Sequence, residues 1–439
     1  MTKRLSILLF VLLCAAGALC DAAQVRRWGN DLSYVDAYSE ANNLREARNF
    51  LEQGLWKYHG LGNVYHDGMY PDEGFATESG DKKYALTPEG VYTHYPPGPE
   101  YLIYAAARLI GAEPVWRIRL LPIALGGAAM IFLGLSVRRR FGATVGWLVM
   151  GACAATPCVT DVFTCLHYQG YAFALLLFEL GILLSTGTAR WQFAVLGFLQ
   201  GWLSFDYVFL IAALPLAIEL VMPRIDPVYR RRWPLAMTRA ALIGAAFAAA
   251  HLLHFFQVWA YWGTFAQALA DFGASAAHRV GAERYSGALG YLAHVDLILY
   301  AYFIGMFPFS TLLHLPDADL PEGWMMFRIF GLSLGPWWLL ATAAVGIWDA
   351  RLPSGPNKRA LIGDWLFVTL CGIATSSLWL IAMIDHAVHH RHFLYRHLFF
   401  AFFVSVLFCA AAVGRRLSQP KGETDGSRER HDASLAAPS

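Results

Sequence analysis

Residues 191–222 read WQFAVLGFLQGWLSFDYVFLIAALPLAIELVM. As one helix, these 32 residues would extend about 48 Å, well beyond the ~30 Å hydrocarbon core of a bilayer. Gln200, Gly201, Ser204 and Asp206 interrupt the middle of the run. In lipid every backbone polar group needs an internal partner, so an apolar run is expected as helix. The break therefore predicts two short helices meeting at one membrane face, with Arg190 and Arg224 both returned to the other.

Similar runs lie on both sides. Apolar stretches recur at about 5–22, 116–137, 143–163, 170–187, 238–257, 296–313, 329–348, 361–384 and 394–413. The whole chain of 439 residues is 57% hydrophobic and 15% charged, against roughly 25% charged in soluble proteins. The expected fold is an all-α membrane protein: a polytopic bundle of ten or eleven transmembrane helices, with a large outer first loop carrying amphipathic helices. A net charge of +2 excludes a nucleic-acid binder acting through bulk electrostatics. There is no Gly-x4-Gly-Lys-Ser/Thr phosphate loop, so ATP-driven chemistry has no support. The seven cysteines lie in or beside apolar runs, which suits packing better than a disulfide framework.

Orientation follows from basic residues in short loops. Arg138–Arg140, Arg224 with Arg230–Arg232, Arg351 with Lys358 and Arg359, and Arg415 with Arg416 share the cytoplasmic side only if one candidate does not cross. Residues 296–313, which contain Pro308, are the weakest, and ten spans with both termini inside are expected. The resulting organisation is a first transmembrane helix at 1–22, favoured as a retained signal anchor, and an extracytoplasmic loop at 23–115. A transmembrane domain at 116–413 follows, with outer loops near 258–328 and 385–393, and then a disordered cytoplasmic tail at 414–439.

Chemistry is expected in the outer pieces. From Asp36 onward the first loop reads as an amphipathic helix, with Tyr38, Ala41, Leu44, Ala47, Phe50 and Leu51 at helical spacing. Asp36 and Glu40 lie one turn apart on a shared face, where a carboxylate in a partly dry cleft accepts a proton from an alcohol or amine. The competing structural account has Asp36 capping the helix and Glu40 paired with Arg45 or Arg48. The loop closes in THYPPGPEYLIY at 93–104. Its prolines set a rigid turn before a helix at about 100–110, which explains the prolines but not His94.

An amino-terminal span, an outer loop with an early Asp, the closing THYPPGPEYLIYAAARLIG and a span ending VRRRFGATVGWLVM follow in order. This arrangement resembles the GT-C superfamily of integral-membrane glycosyltransferases. It is most similar to the bacterial branch related to protein mannosyltransferases and the lipid A aminoarabinose transferase. The likeness is clearest over 28–210, including GFLQGWLSFDYVFLI, and is mainly architectural beyond that. It implies a bacterial inner-membrane enzyme with an outward-facing site. Such an enzyme moves a sugar from a polyprenyl-phosphate carrier to a lipid, glycan or protein acceptor, and nucleic acid plays no part. Asp36 inherits the role of general base. The protein mannosyltransferases carry adjacent Asp-Glu, whereas here Ala37 follows Asp36 and Glu40 stands as the second catalytic acid.

A departing phosphate needs positive groups. IDHAVHHRHFLYRHLFF at 384–400 supplies Arg391 and Arg396, with His390 and His392 as further donors. Two other readings of this cluster stay open. His386 and His390, with Asp385, have spacing for a divalent metal, and the cluster also suits a headgroup-contacting rim. No cofactor is fixed by the sequence. His94, Tyr95, His167, Asp206 and Tyr207 are expected substrate contacts, whereas His251 and His254 are expected to pack. Glu179, mid-span, is the feature that a rival transporter or flippase of lipid-linked glycans would use.

Overall fold

The computed structural model describes residues 37–64, 90–154, 162–185, 189–280, 358–383 and 397–417. Its helices are α1 (Ala37–Gln53), α2 (Gly98–Ile110), α3 (Trp116–Phe141), α4 (Ala143–Ala154), α5 (Tyr168–Leu184), α6 (Trp191–Leu203), α7 (Val208–Ile225), α8 (Trp233–Trp262), α9 (Phe265–Val280), α10 (Lys358–Ala382) and α11 (Phe399–Leu417). Among the described residues the one β-type pairing is an isolated antiparallel bridge between Asn63 and Val91. Trp116–Phe141, Val208–Ile225, Trp233–Trp262 and Leu361–Trp379 are long and apolar enough to cross a membrane. Shorter apolar helices lie at Ala143–Cys153, Tyr168–Leu184 and Phe399–Arg415. The chain is an all-α, multi-pass membrane protein.

The run at 191–222 divides as its composition requires. Ser204 leaves the helix with extended backbone (φ −168°, ψ 157°), and its Oγ accepts the Asp206 N–H at 3.0 Å. That turn separates α6 from α7. The apolar run at 238–257 proves longer than expected, because α8 has 30 residues, about 45 Å of helix. It stops where Gly263 takes a left-handed conformation (φ 72°), which glycine adopts without steric cost. The extra length at this end carries Val258 and Tyr261 up to the first loop, where the Tyr261 ring meets Tyr58 edge-on at 6.5 Å.

Close packing of α6 on α8 depends on small residues. A Cβ placed on Gly197 would run into the Ile243 backbone, and one on Gly201 would press on Phe247 and Ala250. A second apolar cluster joins the loop helices to the bundle through Leu44, Ala47, Ile103, Ala107, Ile118 and Leu166. Thus α1 buries the face that its helical spacing marks as apolar.

The basic helix ends gather at one end of the bundle. Arg140 donates to Asp226 through Nε at 3.1 Å and Nη2 at 2.9 Å. Arg415 donates to the Ile225 carbonyl at 2.7 Å, and Arg224 pairs with Asp364. The opposite end carries α1, α2, the turn 164–167, the apex 204–207 and α9. The runs 5–22, 296–313 and 329–348 themselves, and residues 418–439, lie outside the described residues.

Candidate functional site

The segment 91–97 crosses the loop-bearing end as a strap. Val91 is held by its bridge to Asn63. The Thr93 carbonyl lies 2.9 Å from His254 Nε2. His94 Nε2 reaches the Asp271 carboxylate of α9 at 3.3 Å. Tyr95 stacks on Tyr168 with ring centroids 5.8 Å apart and meets Phe205 edge-on at 5.7 Å. Gly98 then lets α2 start against the Trp202 carbonyl, where any Cβ would collide. The proline turn expected at 96–99 is therefore wedged beside the α6–α7 apex.

Asp206 is the centre of a buried polar network. It accepts from the Tyr168 hydroxyl and from Gln169 Nε2 at 3.1 Å. Gln169 in turn accepts the Tyr207 hydroxyl at 2.8 Å. The Tyr207 ring stacks on His397 at 4.6 Å, and Trp379 stacks on His397 at 4.1 Å. His167, buried one residue before α5, packs its ring against Tyr168 at 3.7 Å. Of the expected substrate contacts, Tyr95, His167, Asp206 and Tyr207 thus converge. His94 lies one residue from Tyr95 on the same strap, bound to α9.

Glu40 is completely buried, and the partner that holds it is Arg119 of α3. Its carboxylate takes a two-pronged bond from Arg119 at 2.5 and 2.9 Å and the Leu166 N–H at 2.7 Å. Arg119 also donates to the Thr164 carbonyl at 2.8 Å. The helix turns Glu40 inward onto α3, while the partly exposed Arg48 pairs with Glu113. An acid so occupied clamps α1 to α3 and to the turn before α5. Asp36, Arg391, Arg396, His390 and His392, with Asp385 and His386 of the metal reading, lie outside the described residues.

Two acids that sequence reading passed over lie beneath the strap. Glu46 and Glu100 are both buried. Burial pushes the Glu46 carboxyl well above its usual range, and the neighbouring Glu100 charge adds to the effect. Burial likewise raises Glu100 to about 8, partly opposed by a backbone hydrogen bond. Asp271 goes the other way. Burial alone would raise it, but hydrogen bonds from His94, Thr93 and Trp262 hold it below the ordinary carboxylate value. Gln169, Tyr168, Asp271 and Arg119 were also missed. Each acquires meaning from a partner remote in sequence, and no local pattern marks them. His251 and His254 do pack, the first by stacking on Phe205 at 3.9 Å.

The fold and this buried cluster define the chain as a helical membrane protein with a buried polar network under its first loop. Neither a family model nor a curated protein matches it. Among solved structures it is similar to ArnT from Cupriavidus metallidurans bound to undecaprenyl phosphate, over 93% of this chain and 78% of that one, with 17% identity and TM-score 0.44. It is also similar to the oligosaccharyltransferase AglB from Archaeoglobus fulgidus in complex with an inhibitory peptide and a dolichol-phosphate, over 97% of this chain and 53% of that one, with 14% identity and TM-score 0.40.

Proposed function

We propose that the chain is a GT-C-type glycosyltransferase that uses a polyprenyl-phosphate sugar. It would transfer the sugar with inversion to an acceptor at the outer face of a bacterial cytoplasmic membrane. The observation that carries this reading is a continuous path of contacts. Glu40, four residues after Asp36, is bonded to Leu166. Tyr168, two residues on, is bonded to Asp206, and Tyr207 stacks on His397, the residue after Arg396. Chain positions near the proposed base and the proposed phosphate ligands are therefore linked through one buried polar cluster, which supports the reading.

The chemistry follows from that juxtaposition. Asp36 accepts the proton of an acceptor hydroxyl or amine as its oxygen or nitrogen attacks the anomeric carbon. The bond from that carbon to the phosphate oxygen breaks on the opposite face, and the polyprenyl phosphate leaves with the electron pair. Arg391 and Arg396, with His390 and His392, steady the departing charge. Tyr95, Asp206, Tyr207, His167 and His94 orient the sugar. The buried Glu179 is the feature that favours a lipid-linked-glycan flippase, which moves its cargo without consuming it.

Purified protein incubated with labelled undecaprenyl-phosphate sugars and lipid acceptors tests the proposal. Product should form with release of undecaprenyl phosphate. Asp36→Asn should lose about 10²–10⁴-fold in turnover, and Arg391→Ala or Arg396→Ala should abolish transfer. Full turnover by Asp36→Asn removes the base assignment, and unchanged turnover in both arginine variants removes the phosphate role. Movement of intact donor across proteoliposomes would select the flippase.

A further inference from the structure

The end of α8 and one face of α9 share a continuous apolar surface. On α8, which is long and apolar enough to cross a membrane, Leu252, Leu253, Phe256 and Trp259 are exposed at helical spacing. A spanning helix turns such a stripe to lipid. The stripe does not stop at the Gly263 turn. Phe256 and Trp259 have ring centroids 6.1 Å apart, and Trp259 meets Phe265 of α9 edge-on at 5.4 Å. Phe265 and Leu269, one turn apart on α9, are 52% and 56% exposed. The other side of α9 is taken up by the protein. Ala268 and Ser275 are buried there, and Asp271 meets His94 of the strap and Trp262 of α8. Asp271 is the one charged residue between positions 265 and 277, so the charge of this stretch is turned inward and its large apolar side chains outward.

The ring contacts also fix the height of α9. Phe255 of α8 meets both Phe265 at 5.5 Å and Phe272 at 5.2 Å, and the His254 ring lies 5.5 Å from Phe272. The helix therefore crosses the side of α8 at residues 254–259 instead of projecting beyond its end. The apolar run of α8 finishes at about residue 257. Trp259, Tyr261 and Trp262 follow it, and these residue types collect at the boundary between hydrocarbon and headgroups. An exposed Phe–Leu face at that height is complementary to acyl chains, and an amphipathic helix lying in the boundary buries it. We infer that α9 is an interfacial helix, with its Phe265–Leu269 face seated in the phospholipid acyl chains of the leaflet at the loop-bearing end. Its other face holds the strap through Asp271, so the membrane boundary is the support on which the strap is mounted. This seat needs only the membrane fold and not the glycosyltransferase reading.

Photocrosslinking in the full-length protein, reconstituted in nanodiscs of phosphatidylethanolamine and phosphatidylglycerol, tests the seat. Separate variants carry p-benzoylphenylalanine in place of Leu269, Phe265 or Gln267. Gln267 is exposed but turned about 160° around the helix from both of the others. After irradiation, intact-mass spectrometry should show the mass of one added phospholipid at 269 and 265, and the unshifted mass at 267. An unshifted mass at both 269 and 265 overturns the inference. So does a crosslink from them to another segment of this chain or to a second copy, which would make protein the occupant. Equal phospholipid adducts at all three positions overturn it as well, because α9 would then have no seated face. Wild-type protein with a phospholipid carrying a diazirine in its acyl chain gives the reverse reading without any substitution. Peptide mapping should place the label on residues 265–270, and label confined to α8 and the other spans overturns the seat.

Discussion

Glu40 and Arg119 show how one residue's environment determines its work. An exposed acid on an amphipathic helix is available to chemistry, but Glu40 is bonded by a guanidinium and a backbone amide in a place water does not reach. Removing one member of a buried ion pair leaves an uncompensated charge and typically costs about 3–5 kcal/mol. Arg119→Met should therefore lower the unfolding temperature markedly in detergent, and the double variant Glu40→Leu/Arg119→Met should recover most of the loss. Equal melting of wild type and Arg119→Met would show that the pair is not what secures α1. Glu100 makes a pH prediction. Its folded-state value of about 8 lies above its ordinary 4.5, so the folded protein holds the proton more tightly than the unfolded chain. Its contribution is fully present at pH 4.5 and below and is lost as pH rises toward about 8. Glu100→Gln should raise stability at pH 8 while changing little at pH 5, measured by thermal unfolding across that range.

At the scale of elements, the informative contact is α6 against α8. Gly197 and Gly201 are four residues apart on one helix face, where small residues allow backbones to approach within a membrane. Gly197→Leu would force a side chain into the Ile243 backbone, and overpacking of this kind costs typically 1–3 kcal/mol. The α6–α7 apex should shift with α6, so the loss of stability should be accompanied by reduced turnover. Circular dichroism melts and the transfer assay check both. The amphipathic helix α1 and the split of 191–222 were legible from spacing and length. The full extent of α8 was not, because its last turn is aromatic and polar, and it is held by the first loop rather than by lipid.

For the whole molecule, the arrangement makes a directional prediction. Lys57 and Arg139 are both exposed and lie at opposite ends of the bundle. In intact membrane vesicles of known orientation, Lys57→Cys and Arg139→Cys should react with an impermeant thiol reagent from opposite sides. The buried native cysteines at 153 and 165 should stay silent. Labelling of both from one side would overturn the topology and the outward-facing site together.

Composition and apolar run length by themselves determined that this chain is a helical membrane bundle. In lipid a continuous apolar run of this length satisfies its own backbone polar groups as a helix, and that demand is written locally in each run. The interruption at 200–206 and the basic loop residues likewise announced the α6–α7 apex and the shared basic end. Which partners the side chains meet there was decided only by tertiary packing. Glu40 could be read as reactive or structural until α3 brought Arg119 against it from 79 residues away. Asp271 was one acid among many until α9 lay down beside His94. A charged group takes its role from the partner that desolvates or neutralises it, and such partners are neighbours in space alone.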